Sequence, residues 1–147
     1  MITALLCAID LYCKSWIESH LRKGDKEKLG KGPVEIRRVH NKGFAMNTME
    51  DKSWLVKIVS VVVCLVAGIW AVFIWKEEAC IVKRLAATFL FAGAISNTYD
   101  RLKRGYVVDY IGIETKNKKI NRITFNLADL YIFIGAVGYA FADVFGK

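Results

Sequence analysis

Residues 54–75, WLVKIVSVVVCLVAGIWAVFIW, hold a single charge, Lys57, in 22 positions. A helix of that length crosses the roughly 30 Å hydrocarbon layer of a bilayer, so the run marks a membrane protein. The chain is 54% hydrophobic yet 24% charged, and the two coexist because they are segregated. The stretch RKGDKEKLGKGPVEIRRVHNKG, residues 22–43, is loop-like and basic.

Four spans emerge, at about 1–19, 54–75, 79–100 and 127–145, the first short and interrupted by Asp10 and Lys14. They predict one integral membrane domain over 1–147, mainly α, with four transmembrane helices. An even number of spans puts the long loops 20–53 and 101–126 on one side and both termini on the other. VEIRRV after Pro33 reads as a short strand, and IGIET and INRITF flank KNKK as two strands flank a turn. Such strands form a small β-platform at one membrane face, able to receive an extended peptide. Loop 20–53 carries nine Lys or Arg, loop 101–126 carries seven, and the turn between spans two and three has three nearby. Taken alone, that asymmetry turns both long loops toward the cytoplasm.

The formal charge of +8 does not make this a nucleic-acid binder. Its basic residues lie in loops between apolar spans, with no basic helix or base-stacking aromatics, and anionic lipid head groups account for them. The cysteines, Cys7, Cys13, Cys64 and Cys80, lack CxxC spacing and read as small buried hydrophobes. The N-terminal segment has no basic n-region and is interrupted by Asp10 and Lys14, so cleavage as a signal peptide is not expected.

Ionisable groups inside apolar spans cost a few kcal/mol each and are usually paired or functional. Asp10 and Lys14 are four apart, on one helix face, and read foremost as a structural ion pair. Asp109 follows YVV beyond span three, and Asp129 opens span four in FNLAD. The intervening hairpin can bring both to one interface. Two carboxylates in a low-dielectric pocket share one proton, a state suited to peptide hydrolysis: the ionised member takes a proton from water while the neutral one polarises the scissile carbonyl. Equally, each is placed to cap a helix, Asp129 at a favourable dipole end. Asn97 and Arg101 share the face on which span three ends, placed to hold a peptide backbone, while Arg101 next to Asp100 reads equally as an interfacial ion pair. Tyr99, Tyr106 and Tyr110 read as interface aromatics.

The segments DLYCK, NKGFAMN, GAISNTYDR, VVDY and FNLAD, in this order among four spans, resemble the bacterial lipoprotein signal peptidases (signal peptidase II). The resemblance covers nearly the whole chain. It implies that Asp109 and Asp129 are the catalytic aspartates of a membrane aspartyl peptidase. By the same resemblance Asn41 and Gly43 belong to a β-cradle at the membrane surface. Asn97 and Arg101 lie around the substrate, Asn126 stands beside the dyad, and Asp10, Lys14 and Asp100 are structural support. The implied substrate is a diacylglyceryl prolipoprotein, cut on the amino side of its lipidated Cys. No metal or organic cofactor and no nucleic-acid partner is expected. The implied protein is a monomer among phospholipids of the bacterial cytoplasmic membrane, its active site at the outer face.

Departures from the family pattern fit a divergent or second copy. Nine residues precede Asp10, Phe44 and Met46 stand where Ala and Phe are more usual, and Tyr110 replaces Phe. The loop bearing Lys116, Lys118, Lys119 and Arg122 is strongly basic. Two other functions compete: a family member that binds lipidated peptides without cutting them, and a small transporter using Asp10, Lys14 and Asp129. The transporter is disfavoured by the lack of a broken helix or central charge in spans two and four.

Overall fold

The computed structural model describes residues 1–43, 48–117 and 120–145. Among them are four helices, α1 (Ile2–His20), α2 (Ser53–Lys76), α3 (Ile81–Lys103) and α4 (Leu127–Phe145). Four strands complete the fold: β1 (Lys26–Lys28), β2 (Val34–Asn41), β3 (Val107–Ile113) and β4 (Thr124–Phe125). Helix bounds follow the expected spans closely, because each apolar run ends in charge or in extended chain. Phe44, Met46, Lys118 and Lys119 lie outside the described residues.

Among the described residues, two helices are long and apolar enough to cross a membrane: α2 with its leading turn (Glu50–Lys76) and α4. The α2 surface explains why water is the wrong solvent for it. Leu65 is 62% exposed and Phe73 59%, with Val62, Val66, Ile69 and Val72 likewise open, an apolar face larger than a soluble monomer leaves uncovered. The polar residues of α1 and α3, by contrast, turn inward. Asp10, Lys14, Ser96, Asn97 and Asp100 are all buried.

Helix α3 touches each of the other three. Small residues bring α4 close: a Cβ on Gly93 would overlap the Ala128 carbonyl and Ile132, and one on Gly135 would overlap the Ala86 carbonyl and Leu90. Close backbone approach of this kind replaces the hydrophobic drive that helices lack in lipid. Toward α2, Ala87 packs with Ala71 and Ile74, and Thr98 Oγ1 donates to the Ser60 carbonyl at 3.2 Å.

The sheet is antiparallel throughout, in the order β1-β2-β3-β4. β2 comes from the first long loop and β3 from the second. Their pairing from Val34↔Ile113 to Asn41↔Val107, with an irregularity between Ile36 and Val39, fuses the two loops into one platform. Ile17 of α1 and Leu21 just beyond its end pack with Val108 and Tyr110 of β3, seating the sheet on the end of the helices. Glu18 of α1 takes Arg38 Nη2 at 2.7 Å and His40 Nε2 at 2.7 Å, a second tie between helix and sheet.

Several expectations change. The predicted hairpin forms, but Ile120–Arg122 is a 3₁₀ turn, and only Thr124–Phe125 of INRITF pairs with β3. β3 starts at Val107, ahead of the expected IGIET, so Asp109 lies within the strand. Tyr110 is no interface aromatic: it is 5% exposed, its hydroxyl donating to Asp10 Oδ1 at 3.1 Å and accepting from Leu127 N–H at 3.2 Å. Tyr106 stacks on His40, whereas Tyr99 does face outward. Cys7 is buried as expected, Cys13 and Cys64 are half-buried, and Cys80 is exposed at the start of α3.

Candidate active site

Asp109 and Asp129 reach the site from different elements. Strand alternation sends Val108 and Tyr110 into the core against α1, so Asp109 between them points the other way. It is nonetheless 4% exposed. Asp129 sits in the first turn of α4, half-buried, where the N-terminal end of the helix favours negative charge.

Three asparagines hold the two carboxylates. Asn126 Nδ2 donates to Asp109 Oδ1 at 2.8 Å, and Asn41 Nδ2 donates to Asp109 Oδ2 at 3.1 Å. Asn97 Nδ2 donates to Asp129 Oδ1 at 2.8 Å, while Asp129 Oδ2 accepts the Asn126 backbone N–H at 3.1 Å. Each of the four carboxylate oxygens therefore receives one N–H donor. Each amide is also held by a donor on its own oxygen. Gly43 N–H donates to Asn41 Oδ1, Asp129 N–H to Asn126 Oδ1, and Lys14 Nζ to Asn97 Oδ1. With the oxygens so engaged, the NH₂ groups must face the aspartates.

Burial pushes the Asp109 carboxyl up to about 7, and the negative charge of Asp129 adds to the rise. The donors from Asn41 and Asn126 oppose it without cancelling it. A carboxyl raised in this way beside a second carboxylate is the arrangement that carboxylate dyads use as combined acid and base.

The remaining expected residues form a frame around this pair. Arg101 Nη2 donates to the Gly43 carbonyl at 3.1 Å, and Nη1 to the Asn97 carbonyl at 3.4 Å. Its guanidinium lies within electrostatic reach of Asp109 and Asp129. Asn97 joins this frame to the carboxylates, its oxygen on Lys14 and its NH₂ on Asp129. Asp10 and Lys14 pair at 2.7 Å, both fully buried. Asp100 accepts the Val108 N–H at 3.1 Å and lies 3.6 Å from Lys14 Nζ, joining the end of α3 to β3. Ser96, absent from the expected set, donates to Asp10 and accepts from Lys14. Its spacing was the available signal: Gly93, Ser96, Asn97 and Asp100 fall at i, i+3, i+4 and i+7 of one helix face. Among the described residues no group of three or more His, Cys, Asp or Glu is placed to hold a metal ion.

A family model for signal peptidase II matches residues 2–145. The lipoprotein signal peptidase of Lactococcus lactis subsp. lactis is 32% identical over 128 residues, covering 87% of this chain and 81% of that protein. The one from Streptococcus pyogenes serotype M2 is 31% identical over 142 residues, covering 90% and 84%. A bacterial membrane enzyme solved by the in meso method superposes with a TM-score of 0.83 at 25% identity, over 99% of this chain and 88% of that one. A second such structure, with a TM-score of 0.80 at 23% identity over 99% and 92%, shares the fold.

Proposed function

The chain belongs to the signal peptidase II family, and on that premise we propose that it is an aspartyl endopeptidase of the membrane. It removes the signal peptide from diacylglyceryl prolipoproteins, cutting on the amino side of the lipidated Cys. The observation that carries this reading is the coupling of a buried Asp109 to Asp129, with every carboxylate oxygen held by an N–H donor.

In this reading Asp109 is the neutral member and Asp129 the ionised one. Water gives a proton to Asp129 as its oxygen attacks the scissile carbonyl carbon, and Asp109 gives its proton to the carbonyl oxygen. The resulting tetrahedral diol collapses with cleavage of the C–N bond. Asp129 passes its proton to the departing nitrogen of the lipidated Cys, and a diol hydroxyl returns a proton to Asp109. The pair is restored with one proton. The sheet receives the extended peptide, and Arg101 with the Gly43 backbone borders it. All four helices cross the bilayer, so the substrate's acyl chains stay in lipid while the scissile bond meets the dyad at the outer face. The protein works as a monomer.

The test is cleavage of a purified diacylglyceryl prolipoprotein by the detergent-solubilised protein with a chelator present, beside Asp109→Asn and Asp129→Asn. Cleavage before the lipidated Cys by the wild type alone is the expected result. Wild-type-like cleavage by either variant would remove that residue from the dyad. Substrate binding without cleavage by all three proteins would favour the non-cleaving reading.

A further inference from the structure

We propose that Lys14 is a positioning residue of the hydrolytic site, its ammonium fixing the Asn97 amide so that the NH₂ end faces Asp129. This rests on the Asp109/Asp129 reading and extends it from the carboxylates to the group that aims one of their donors. A Lys–Asp pair four apart on a helix is ordinarily explained by burial alone, each charge making the other tolerable. The contacts of Lys14 reach further. Its Nζ lies 2.7 Å from Asp10 Oδ2, 2.8 Å from Asn97 Oδ1 and 3.3 Å from Ser96 Oγ.

An ammonium has three N–H donors and no acceptor, so these three oxygens use all of it. The side chains around it are themselves held. Ser96 Oγ and the Tyr110 hydroxyl donate to the two Asp10 oxygens, and Lys14, Asp10 and Ser96 are fully buried.

The consequence falls on Asn97. An asparagine amide rotated by half a turn exchanges its oxygen for its nitrogen, and the wrong orientation would set a carbonyl oxygen against Asp129. A donor-only cation on the Asn97 oxygen forbids that orientation, leaving Nδ2 on Asp129 Oδ1 at 2.8 Å. The other two amides at the dyad are oriented by backbone N–H groups, those of Gly43 and Asp129. Among the described residues, Asn97 is the amide of the three whose orientation depends on a side chain. Asp129 thereby keeps an N–H donor on Oδ1, aimed at the carboxylate that the proposed reaction uses as its base.

Lys14→Met alone strands Asp10 as a buried charge, whereas Asp100 keeps Arg104 Nη1 at 3.2 Å, so a failure of that variant to fold would be uninformative. The decisive protein is Asp10→Asn with Lys14→Met, which removes both members of the ion pair at once. A purely structural pair predicts near wild-type kcat for it. Positioning predicts a kcat lower by about 10- to 100-fold with KM within about twofold, the size seen when a supporting hydrogen bond is lost. Asn97→Ala supplies the cycle: on that background the neutral pair should cost no further kcat. Wild-type kcat in the neutral pair, or losses that multiply fully with Asn97→Ala, would overturn the proposal. If Asp109→Asn and Asp129→Asn still cleave, the dyad reading itself fails, and the cycle distinguishes the two failures.

Discussion

Asn126 and Asp129 cap each other: the side-chain oxygen of Asn126 accepts the Asp129 N–H at 2.9 Å, and the Asp129 carboxylate accepts the Asn126 N–H at 3.1 Å. This is a capping box with asparagine at the cap and aspartate three residues on. Structural and chemical readings of Asp129 are therefore both satisfied by one arrangement. One carboxylate oxygen closes the start of α4 while the other takes the Asn97 amide. Asn126 then extends its NH₂ to Asp109, so a helix cap also spans the two aspartates.

The cap and the bridge separate in two substitutions. Asn126→Ser retains an oxygen for the Asp129 N–H but has no NH₂ for Asp109. It should keep thermal stability within about 0.5 kcal/mol while lowering kcat by about tenfold or more. Asn126→Ala removes both and should cost a further ~1 kcal/mol of stability. Thermal unfolding in detergent beside single-turnover cleavage tests this. Equal stability of the two variants would mean that the cap contributes nothing.

Asp109 predicts both a pH profile and a conflict between stability and function. Its folded pKa of about 7 lies above the usual 3.8. Between those values the folded protein holds a proton that the unfolded chain has released, so stability falls as pH rises through the window and the penalty is complete above about 7. Cleavage should fall on the alkaline side with an apparent pKa near 7, as the pair loses its shared proton. Asp109→Asn should abolish cleavage yet raise the melting temperature at pH 8, with a stabilisation of about 2 kcal/mol. The new amide forfeits one hydrogen bond, because its NH₂ must face Asn41 or Asn126, which keeps the gain below the full desolvation penalty. At pH 4 the advantage should vanish. A variant melting below wild type at pH 8 would show that Asp109 is not held neutral by burial.

Close approach of α3 to α4 carries Asp129 to the site, and Gly93 permits it. Gly93→Val places branched carbon against the Ala128 carbonyl, one residue before Asp129. It should destabilise by about 2–3 kcal/mol and reduce cleavage more than tenfold. Gly32→Ala, where an added Cβ meets nothing within 4 Å, is the control and should match wild type in both. Equal activity of the two variants would show that the helix spacing does not set the dyad.

What the sequence could disclose follows the range of the interactions. The four helices were legible because hydropathy and its interruption by charge are local signals. The Asp10–Lys14 pair was legible because four residues make one helical turn. The partner that gives Lys14 its further part, Asn97, is 83 residues away, and no periodicity within α1 points to it. Only the packing of α1 on α3 brings them together. Tyr110 was misplaced for a related reason. An aromatic next to a span reads as an interface anchor, yet strand alternation opposite Asp109 sends it inward, toward an aspartate 100 residues away. β1, three exposed residues KEK, has neither apolar alternation nor β-branched content, and exists because β2 offers it an edge.

Membrane orientation sets two physical rules against each other. Sixteen Lys and Arg in the two long loops favour a cytoplasmic sheet by the positive-inside bias, whereas the proposed substrate requires the sheet at the outer face. Cys80 can decide it, being exposed in the turn between α2 and α3, at the opposite end of those helices from the sheet. Cys7 is buried, and Cys13 and Cys64 are half-buried against apolar neighbours, where a charged reagent does not enter. A membrane-impermeant maleimide should therefore leave intact cells unlabelled and modify Cys80 after permeabilisation, with Cys80→Ser silent in both. A cysteine introduced on β1, Lys26→Cys, should show the reverse accessibility and label in intact cells. Labelling of Cys80 from outside would put the dyad on the cytoplasmic face, out of reach of a lipoprotein precursor presented at the outer surface, and the proposed substrate would have to be abandoned.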